Sequence, residues 1–241
     1  MNRLTLIIPC YNEGKKLTKN VETIITFMEE NFLIDYEILV VNDGSTDNTI
    51  DDVLELKEKY PNIVRLIHYK DNKGKGYAVK RGILDANGDV LIFMDADLST
   101  DISAIPTAVQ ELENYSIVIG SRRMQESEIA EAQTGIRKIM GTSCKNITKT
   151  KLGLDVSDTQ CGFKGFKADV AKKIAEKMII NRWAFDAEIL YIAKLNNIQV
   201  KEIPIKWEND SDSRVSPYSA SLEFIKDLGK IKSNKKNYIF E

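Results

Sequence analysis

Residues 89–100 read DVLIFMDADLST, an apolar run that ends on two aspartates spaced two apart. A short apolar run bounded by turn-forming residues reads as a buried strand. Side chains along a strand alternate faces, with a rise of about 3.3 Å per residue. Asp95 and Asp97 therefore project the same way, roughly 6 to 7 Å apart at the backbone. Two carboxylates that close repel one another, and burying them is costly unless a cation compensates. A divalent ion does this, since Mg²⁺ characteristically takes one or two carboxylates and completes its shell with phosphate oxygens and water. The plainer alternative is that the aspartates solvate a loop or cap the following helix. Ser99, Thr100 and Asp101 already offer caps for that helix, which leaves Asp95 and Asp97 free for a ligand.

The same design repeats on either side. LTLIIP is followed by an amphipathic stretch from 13 to 30, YEILVVND by one from 47 to 59, and NIVRLIHY by one from 75 to 87. DVLIFMDAD is followed by one from 101 to 114, and then comes SIVIGSR. Strand and helix in alternation predict an α/β fold with a mostly parallel sheet covered by helices on both faces. Ligands of such sheets bind where the strands end at their carboxyl edge. The polar residues delivered there are Tyr11, Asn12 and Glu13, then Asn42 and Asp43, then Asp95 and Asp97, then Ser121 and Arg122. Beyond residue 123 the pattern loosens into a helical stretch to about 150, a glycine-punctuated DTQCGFKGF, two further helical segments and a last strand, IQVKEIPIKW. No Pro, Gly or Ser-rich linker, repeat or low-complexity tract interrupts the chain. One domain over 1–241 is expected, with functional halves at about 1–125 and 126–241.

Composition narrows the classes. Lys plus Arg number 34 against 36 Asp plus Glu, so the near-neutral balance gives no support to nucleic-acid binding. Cys10, Cys144 and Cys161 are odd in number, lack a C-x-x-C spacing and suit a reduced, cytoplasmic protein. With no apolar run of 18 residues and no signal-peptide pattern, the chain is expected neither to span a membrane nor to be exported. Near the C-terminus Leu222, Ile225, Leu228 and Ile231 recur every three residues among Lys226, Lys230, Lys232, Lys235 and Lys236. This is an amphipathic helix with a basic tail, either packed on the domain or lying on a membrane surface against anionic headgroups. The lone histidine, His68, reads as structural.

Two further motifs reach the same sheet edge. In VVNDGSTDNT the turn at Asn42-Asp43-Gly44 is followed by a helix with Thr46 or Asp47 as its cap, leaving Asp43 to accept from a ligand such as a nucleobase N–H. GKGYAVKRGI sets two glycines around Lys75 at a helix start, where backbone N–H groups and the positive helix end suit an anion. Neither a P-loop nor a G-x-G-x-x-G after the first strand is present, which weakens ATP hydrolysis and dinucleotide redox chemistry.

In order and spacing, LIIPCYNEGKKL, VVNDGSTDNT, GKGYAVKRGI, FMDADLST and IGSRR resemble the nucleotide-sugar half of the inverting glycosyltransferases of family 2, with the GT-A fold and its Rossmann-like sheet. The resemblance runs from residue 4 to about 207. DTQCGFKGF, RWAFDAEILYIA and EIPIKWEND resemble the polyprenyl-phosphate branch of that family, the dolichyl-phosphate glucosyltransferases above all. The resemblance implies that Pro9, Tyr11, Glu13 and Asp43 hold the uridine of a UDP-sugar, with Asn12 and Ala96 belonging to the same donor site. Lys75 would lie near the base and phosphates, and Asp95 and Asp97 would bind Mg²⁺ or Mn²⁺ bridging the diphosphate. Ser99 stands where related mannosyltransferases carry a glutamine. Arg122 and Arg137 match positions that contact phosphate, each with a plain surface-arginine alternative. Gln160, Cys161, Gly162, Trp183, Asp186 and Glu188 would line the sugar and acceptor pocket.

The implied reaction moves a hexose, glucose or N-acetylglucosamine, from a UDP-sugar to a polyprenyl phosphate at the cytoplasmic membrane face. An acceptor phosphate is already anionic and needs orienting cations such as Arg122 and Arg137 more than a base. The competing expectation is a soluble enzyme acting on a saccharide hydroxyl, which needs a base. Asp186 is the candidate, with helix capping as its other reading. A nucleotidyltransferase lacks its early G-x-G-T-R loop here, and a silent UDP-sugar-binding module is the remaining class.

Overall fold

The computed structural model describes residues 3–31, 34–129, 146–208 and 217–240. Its strands are β1 (Arg3–Cys10), β2 (Asp35–Asp43), β3 (Val64–Tyr69), β4 (Val90–Met94), β5 (Ile117–Ser121), β6 (Glu128–Ile129), β7 (Phe163–Lys167), β8 (Val200–Pro204) and β9 (Lys206–Trp207). The helices are α1 (Gly14–Asn31), α2 (Thr49–Lys59), α3 (Lys75–Asp85), α4 (Ala104–Glu111), α5 (Ala168–Lys177), α6 (Phe185–Leu195) and α7 (Pro217–Ser233), with residues 146–152 also helical. The main sheet runs β3-β2-β1-β4-β7-β5-β8. β6 and β9 form a small parallel pair beside it.

Period-two alternation sorts the strand residues to two cores. Ile7, Leu39, Val41, Phe93 and Phe166 face α3, α5, α6 and α7. Leu6, Ile8, Val40, Ile92 and Phe163 face α1, α2 and α4. Strands buried on both sides explain the nearly unbroken apolar runs. The expected α/β architecture, mostly parallel with helices on both faces, is the one observed.

β7 departs from expectation. DTQCGFKGF reads as a glycine-punctuated connection, yet residues 163–167 enter the middle of the sheet, antiparallel to both β4 and β5. Gly165 packs closely there: a Cβ would stand 3.0 Å from Leu112 and 3.4 Å from Ile92, so those side chains would have to give way. Because β7 runs backwards, its N-terminal end arrives at the carboxyl edge of β4, and the second half of the chain helps to build that edge. The expected helical stretch from 123 is also corrected at its start, since Glu128–Ile129 form β6 against β9.

The C-terminal apolar stripe is spent on the domain. Phe224, Leu228 and Ile231 are buried against the α6 side of the core, whereas Leu222 is exposed and the lysines face solvent. Packing on the domain accounts for Phe224, Leu228 and Ile231 and leaves Leu222 on the surface among the lysines. At the opposite edge of the sheet from the site, fully buried Glu37 accepts from Thr5, the Asn87 N–H and Arg65. Burial alone would raise its pKa, and these donors bring it below the usual value.

Candidate active site

Asp95 leaves the end of β4 beside the start of β7. Its N–H donates to the Gly162 carbonyl (3.1 Å), and its carboxylate lies over the Gly162 Cα. Any side chain at 162 would collide with it, a Cβ standing 2.6 Å from Oδ1 and nearer still to Oδ2. Gly162, expected in the sugar pocket, instead makes room for Asp95. The Lys75 ammonium reaches Asp95 Oδ1 from the start of α3.

Asp97 follows in a tight loop with Leu98 at φ +56°, and its Oδ1 accepts from the Ser99 N–H (2.9 Å). Burial, and after it the charge of Asp95, lifts the Asp97 carboxyl above its ordinary range, as expected of two carboxylates that share a site. Ser99 thus orients Asp97. The loop is clamped from outside: Glu208 N–H donates to the Ser99 carbonyl (2.8 Å), Asp101 N–H to the Lys206 carbonyl (3.0 Å), and Thr100 bridges Trp207. From α1, Asn20 Nδ2 donates to the Ala96 carbonyl (2.7 Å), so Ala96 serves as an anchor of the loop.

Behind this pair lies a second ion pair, this one buried, that the sequence did not reveal. Lys164 on β7 is fully buried and donates to Asp186 Oδ1 (2.5 Å) and the Cys161 carbonyl (2.7 Å), over the Phe93 ring. Its only sequence signal was a lysine alternating with phenylalanines in FKGFK, a position that a buried strand would give to an apolar residue. Asp186 is the second residue of α6 and makes no capping bond; Ala184 holds the cap position. Burial raises the Asp186 carboxyl, against the pull of Lys164 and Lys75. Lys75 is itself held above its ordinary value: burial opposes its charge, but Asp95, Asp186 and Asp97 outweigh that. Lys164, Asp186, Lys75, Asp95 and Asp97 thus form one connected set of charges at the end of β4 and β7.

Arg122 reaches the same edge from β5. Its Nε and Nη2 make a bidentate pair with Asp158 (2.7 and 2.9 Å), and its guanidinium stacks on Trp207. Burial acts against its charge, and Asp158 more than restores it. The phosphate-contact expectation is narrowed, because this edge of the fork is occupied by a carboxylate. Leu98, Ser99, Asp101, Glu128, Ile129, Lys206, Trp207 and Glu208 line a cleft of about 460 Å³ beside it.

Several expected ligand contacts go to structure. Asp43 is 3% exposed, and its carboxylate takes four donors: Tyr69 Oη, Asn72 Nδ2, and the N–H groups of Lys73 and Gly74, all at 2.8–2.9 Å. A carboxylate has about four lone-pair directions, so none remains for a base N–H. Asn12 Oδ1 accepts the Thr46 N–H (2.8 Å), and its own N–H donates to Ser45 Oγ (2.9 Å), tying the β1 and β2 loops together. The G-K-G helix start is not an open anion site. Tyr77 N–H donates to the Asn181 carbonyl (3.0 Å), and a Cβ on Gly76 would stand 2.6 Å from the Ile180 carbonyl. Those glycines permit close packing.

Glu188 and Cys161 also leave the pocket. Glu188 is fully buried and accepts from Tyr238 Oη (2.5 Å) and the Ile179 and Ile180 N–H groups, fastening the C-terminal segment. Cys161 is fully buried, its carbonyl accepting from Lys164 and its sulfur from the Phe163 N–H. Pro9 is buried at the end of β1, Tyr11 is 44% exposed beside it, Glu13 is half-buried, and Gln160 and Trp183 are half-buried near the β7 and α6 starts. Arg137 lies outside the described residues, as does Cys144. His68 is exposed on the edge strand β3.

Among the described residues, the atoms best suited to a divalent ion are those of Asp95 and Asp97. The fit is supported by Gly162, which leaves space for the Asp95 carboxylate, and by the closeness of the two carboxylates, Asp97 being lifted by burial and then by the charge of Asp95. No group of three potential metal-binding side chains occurs among the described residues. Two carboxylates with substrate oxygens completing the shell is the pattern typical of Mg²⁺.

A sheet whose β4 ends in a paired-aspartate loop, with an antiparallel strand inserted beside it, defines the GT-A fold of the glycosyltransferases. The chain belongs to glycosyltransferase family 2, whose family model, Glycosyl transferase family 2, matches residues 5–175. It is 35% identical over 240 residues to the dolichyl-phosphate beta-glucosyltransferase of Dictyostelium discoideum, covering 95% of this chain and 73% of that protein. The Homo sapiens enzyme of the same name is 31% identical (94% and 74% covered), and that of Saccharomyces cerevisiae 32% (93% and 72%). Among solved structures, glucosyl-3-phosphoglycerate synthase from Mycobacterium tuberculosis in complex with UDP superposes with a TM-score of 0.68 at 15% identity, over 96% of this chain and 80% of that one. The same enzyme with Mn²⁺, UDP-glucose and glycerol 3-phosphate also gives 0.68, with the same coverage.

Proposed function

We propose that this glycosyltransferase moves glucose, with inversion, from UDP-glucose to a polyprenyl phosphate such as dolichyl phosphate. The observation that carries the proposal is the convergence of Asp95 and Asp97 at the carboxyl end of β4, with Lys75 on the first of them. The names of the relatives favour glucose over N-acetylglucosamine and a lipid phosphate over a saccharide hydroxyl. UDP as the donor nucleotide rests on the neighbours crystallised with UDP and UDP-glucose.

Asp95 and Asp97 would hold Mg²⁺ or Mn²⁺, which would supply positive charge against that developing on the diphosphate as the bond from the anomeric carbon to the phosphate oxygen breaks. The protein's own part is positional. The Ser99 N–H holds Asp97, the Gly162 Cα lets Asp95 approach, and the clamp from Lys206 and Glu208 keeps the loop closed. Lys75 adds a cation beside the diphosphate, and Asp186, steadied by Lys164, lies next to it for the sugar hydroxyls. An acceptor phosphate brings its own nucleophilic oxyanion, and the cleft lined by Leu98, Ile129 and Trp207 offers apolar surface for the first part of its chain.

No described helix is long and apolar enough to cross a membrane. A polyprenyl acceptor would bring the protein to a membrane surface as a peripheral enzyme, at the cytoplasmic face. Incubation with UDP-glucose, UDP-N-acetylglucosamine or GDP-mannose, dolichyl phosphate and Mn²⁺, followed by lipid extraction, tests the reading. Glucosyl lipid from UDP-glucose is the expected product. Transfer to free saccharides with no lipid product would replace this reading with the hydroxyl-acceptor one, in which Asp186 is the base.

A further inference from the structure

We propose that Lys75 is a resident counter-ion that occupies Asp95 until the donor diphosphate arrives, so that the divalent ion binds well only together with the nucleotide. The inference rests on the reading of Asp95 and Asp97 as the metal–diphosphate site and adds how that site is loaded.

The Lys75 ammonium already neutralises the oxygen that a divalent ion would need. Asp97 is held by Ser99, whose N–H donates to Oδ1 and whose side chain also bonds the carboxylate, so it offers no cation of its own to an arriving ion. An ion arriving alone must therefore either share Asp95 with a cation a few ångströms away or displace that cation from its best partner. Like charges that close repel strongly in a partly desolvated site. A diphosphate changes the balance, because its anionic oxygens give the ammonium a second partner as they complete the shell of the metal.

The fold allows that exchange and confines it to one side chain. The backbone on either side of Lys75 is closely packed. A Cβ on Gly74 would stand 2.8 Å from Arg182 Cγ, and one on Gly76 2.7 Å from Phe185 Cβ, so α3 is locked against residues 180–185. Gly74 N–H is held by Asp43 and Tyr77 N–H by Asn181. Only the flexible four-carbon stem is free to swing, and both it and Asp95 are partly open, at 27% and 30% exposed. Asp186, buried behind and held by Lys164, is a second acidic neighbour of the ammonium as it changes partner.

The test is titration of the intact protein with Mn²⁺, followed by the paramagnetic resonance of free Mn²⁺, with and without UDP. Wild type is expected to bind Mn²⁺ alone at least tenfold more weakly than with UDP. In Lys75→Met, Mn²⁺ alone should bind about tenfold more tightly than in wild type, because one repelling charge has left the site. UDP without metal should bind more weakly, and the UDP dependence of Mn²⁺ binding should shrink by about tenfold, the remainder coming from diphosphate oxygens on the metal itself. Lys75→Gln, which keeps a donor for Asp95 and so protects the fold, should behave in the same way, while Lys75→Arg should retain the wild-type coupling. Unchanged or weaker binding of Mn²⁺ alone in folded Lys75→Met or Lys75→Gln overturns the proposal. A merely structural lysine would weaken metal and nucleotide together. If wild type binds Mn²⁺ with UDP and Asp97→Ala binds it equally well, the metal lies elsewhere and the underlying reading of the site falls, taking this inference with it.

Discussion

Gly162 and Asp95 are in such close register across β7 and β4 that the carboxylate occupies the space where residue 162 would carry a side chain. Gly162→Ala should therefore displace Asp95 without unfolding the sheet. A shift of about 1 Å in a positioned group costs on the order of 10²-fold in rate. Glucosyl transfer is expected to fall by that order while the melting temperature changes little, as steady-state assays beside thermal unfolding would show. Unimpaired transfer in a folded Gly162→Ala protein would mean that the position of Asp95 is unimportant.

Lys164 and Asp186 make a buried pair whose members depend on each other. Lys164→Met leaves the Asp186 carboxylate buried without its partner, at a cost of about 3–5 kcal/mol. Lys164→Met combined with Asp186→Asn removes both charges and should recover much of that loss. Urea unfolding of both single variants and the double variant measures the coupling directly.

Asp43 holds the Asn72–Gly74 loop with four hydrogen bonds. Asp43→Asn replaces one acceptor oxygen with a donor facing N–H groups and should destabilise the protein by about 2 to 3 kcal/mol. Tyr69→Phe removes a single donor and should cost less. Chemical denaturation distinguishes this from a ligand role, in which Asp43→Asn would weaken nucleotide binding at unchanged stability.

Burial, and after it Asp158, raises the Cys161 thiol from 9.0 to about 11. Below pH 9.0 the folded and unfolded chains both keep the proton, so this thiol does not change stability with pH. Between pH 9.0 and about 11 only the unfolded chain ionises there, which favours unfolding. Cys161→Ala should flatten the decline in stability over that window. At pH 8, peptide mapping after iodoacetamide should find Cys10 and Cys161 unmodified in native protein and modified in denaturant, since both are buried and both thiols are raised.

Much of the site was legible because it is local. The apolar run from Val90 to Met94 and the two aspartates after it sit within a few residues, but the expected period-two geometry stops at Met94, and it is the turn through Leu98 that brings Asp97 beside Asp95. Lys75 was legible as a residue of the site but not in its partner, because no local pattern tells a helix-start lysine which strand end it will meet. Asp43 and Glu188 misled for the matching reason. A carboxylate beside a turn or on a helix face is free in the sequence, and only its neighbours show that Tyr69 and the loop to Gly74, or Tyr238 and the turn at Ile179, have taken its oxygens.

The sequence by itself determined the alternation of strands and helices and the sheet edge where the polar residues gather, which follow from periodicity along the chain, and the two aspartates just past the end of β4, which follow from their place after its apolar run. The tertiary structure decided that β7 runs backwards between β4 and β5, bringing Gly162 under Asp95 and burying Lys164 against Asp186. Residues 95 and 162 are far apart along the chain, and strand order in a sheet is set by which side-chain volumes and hydrogen-bond partners fit across it, information that no single segment holds.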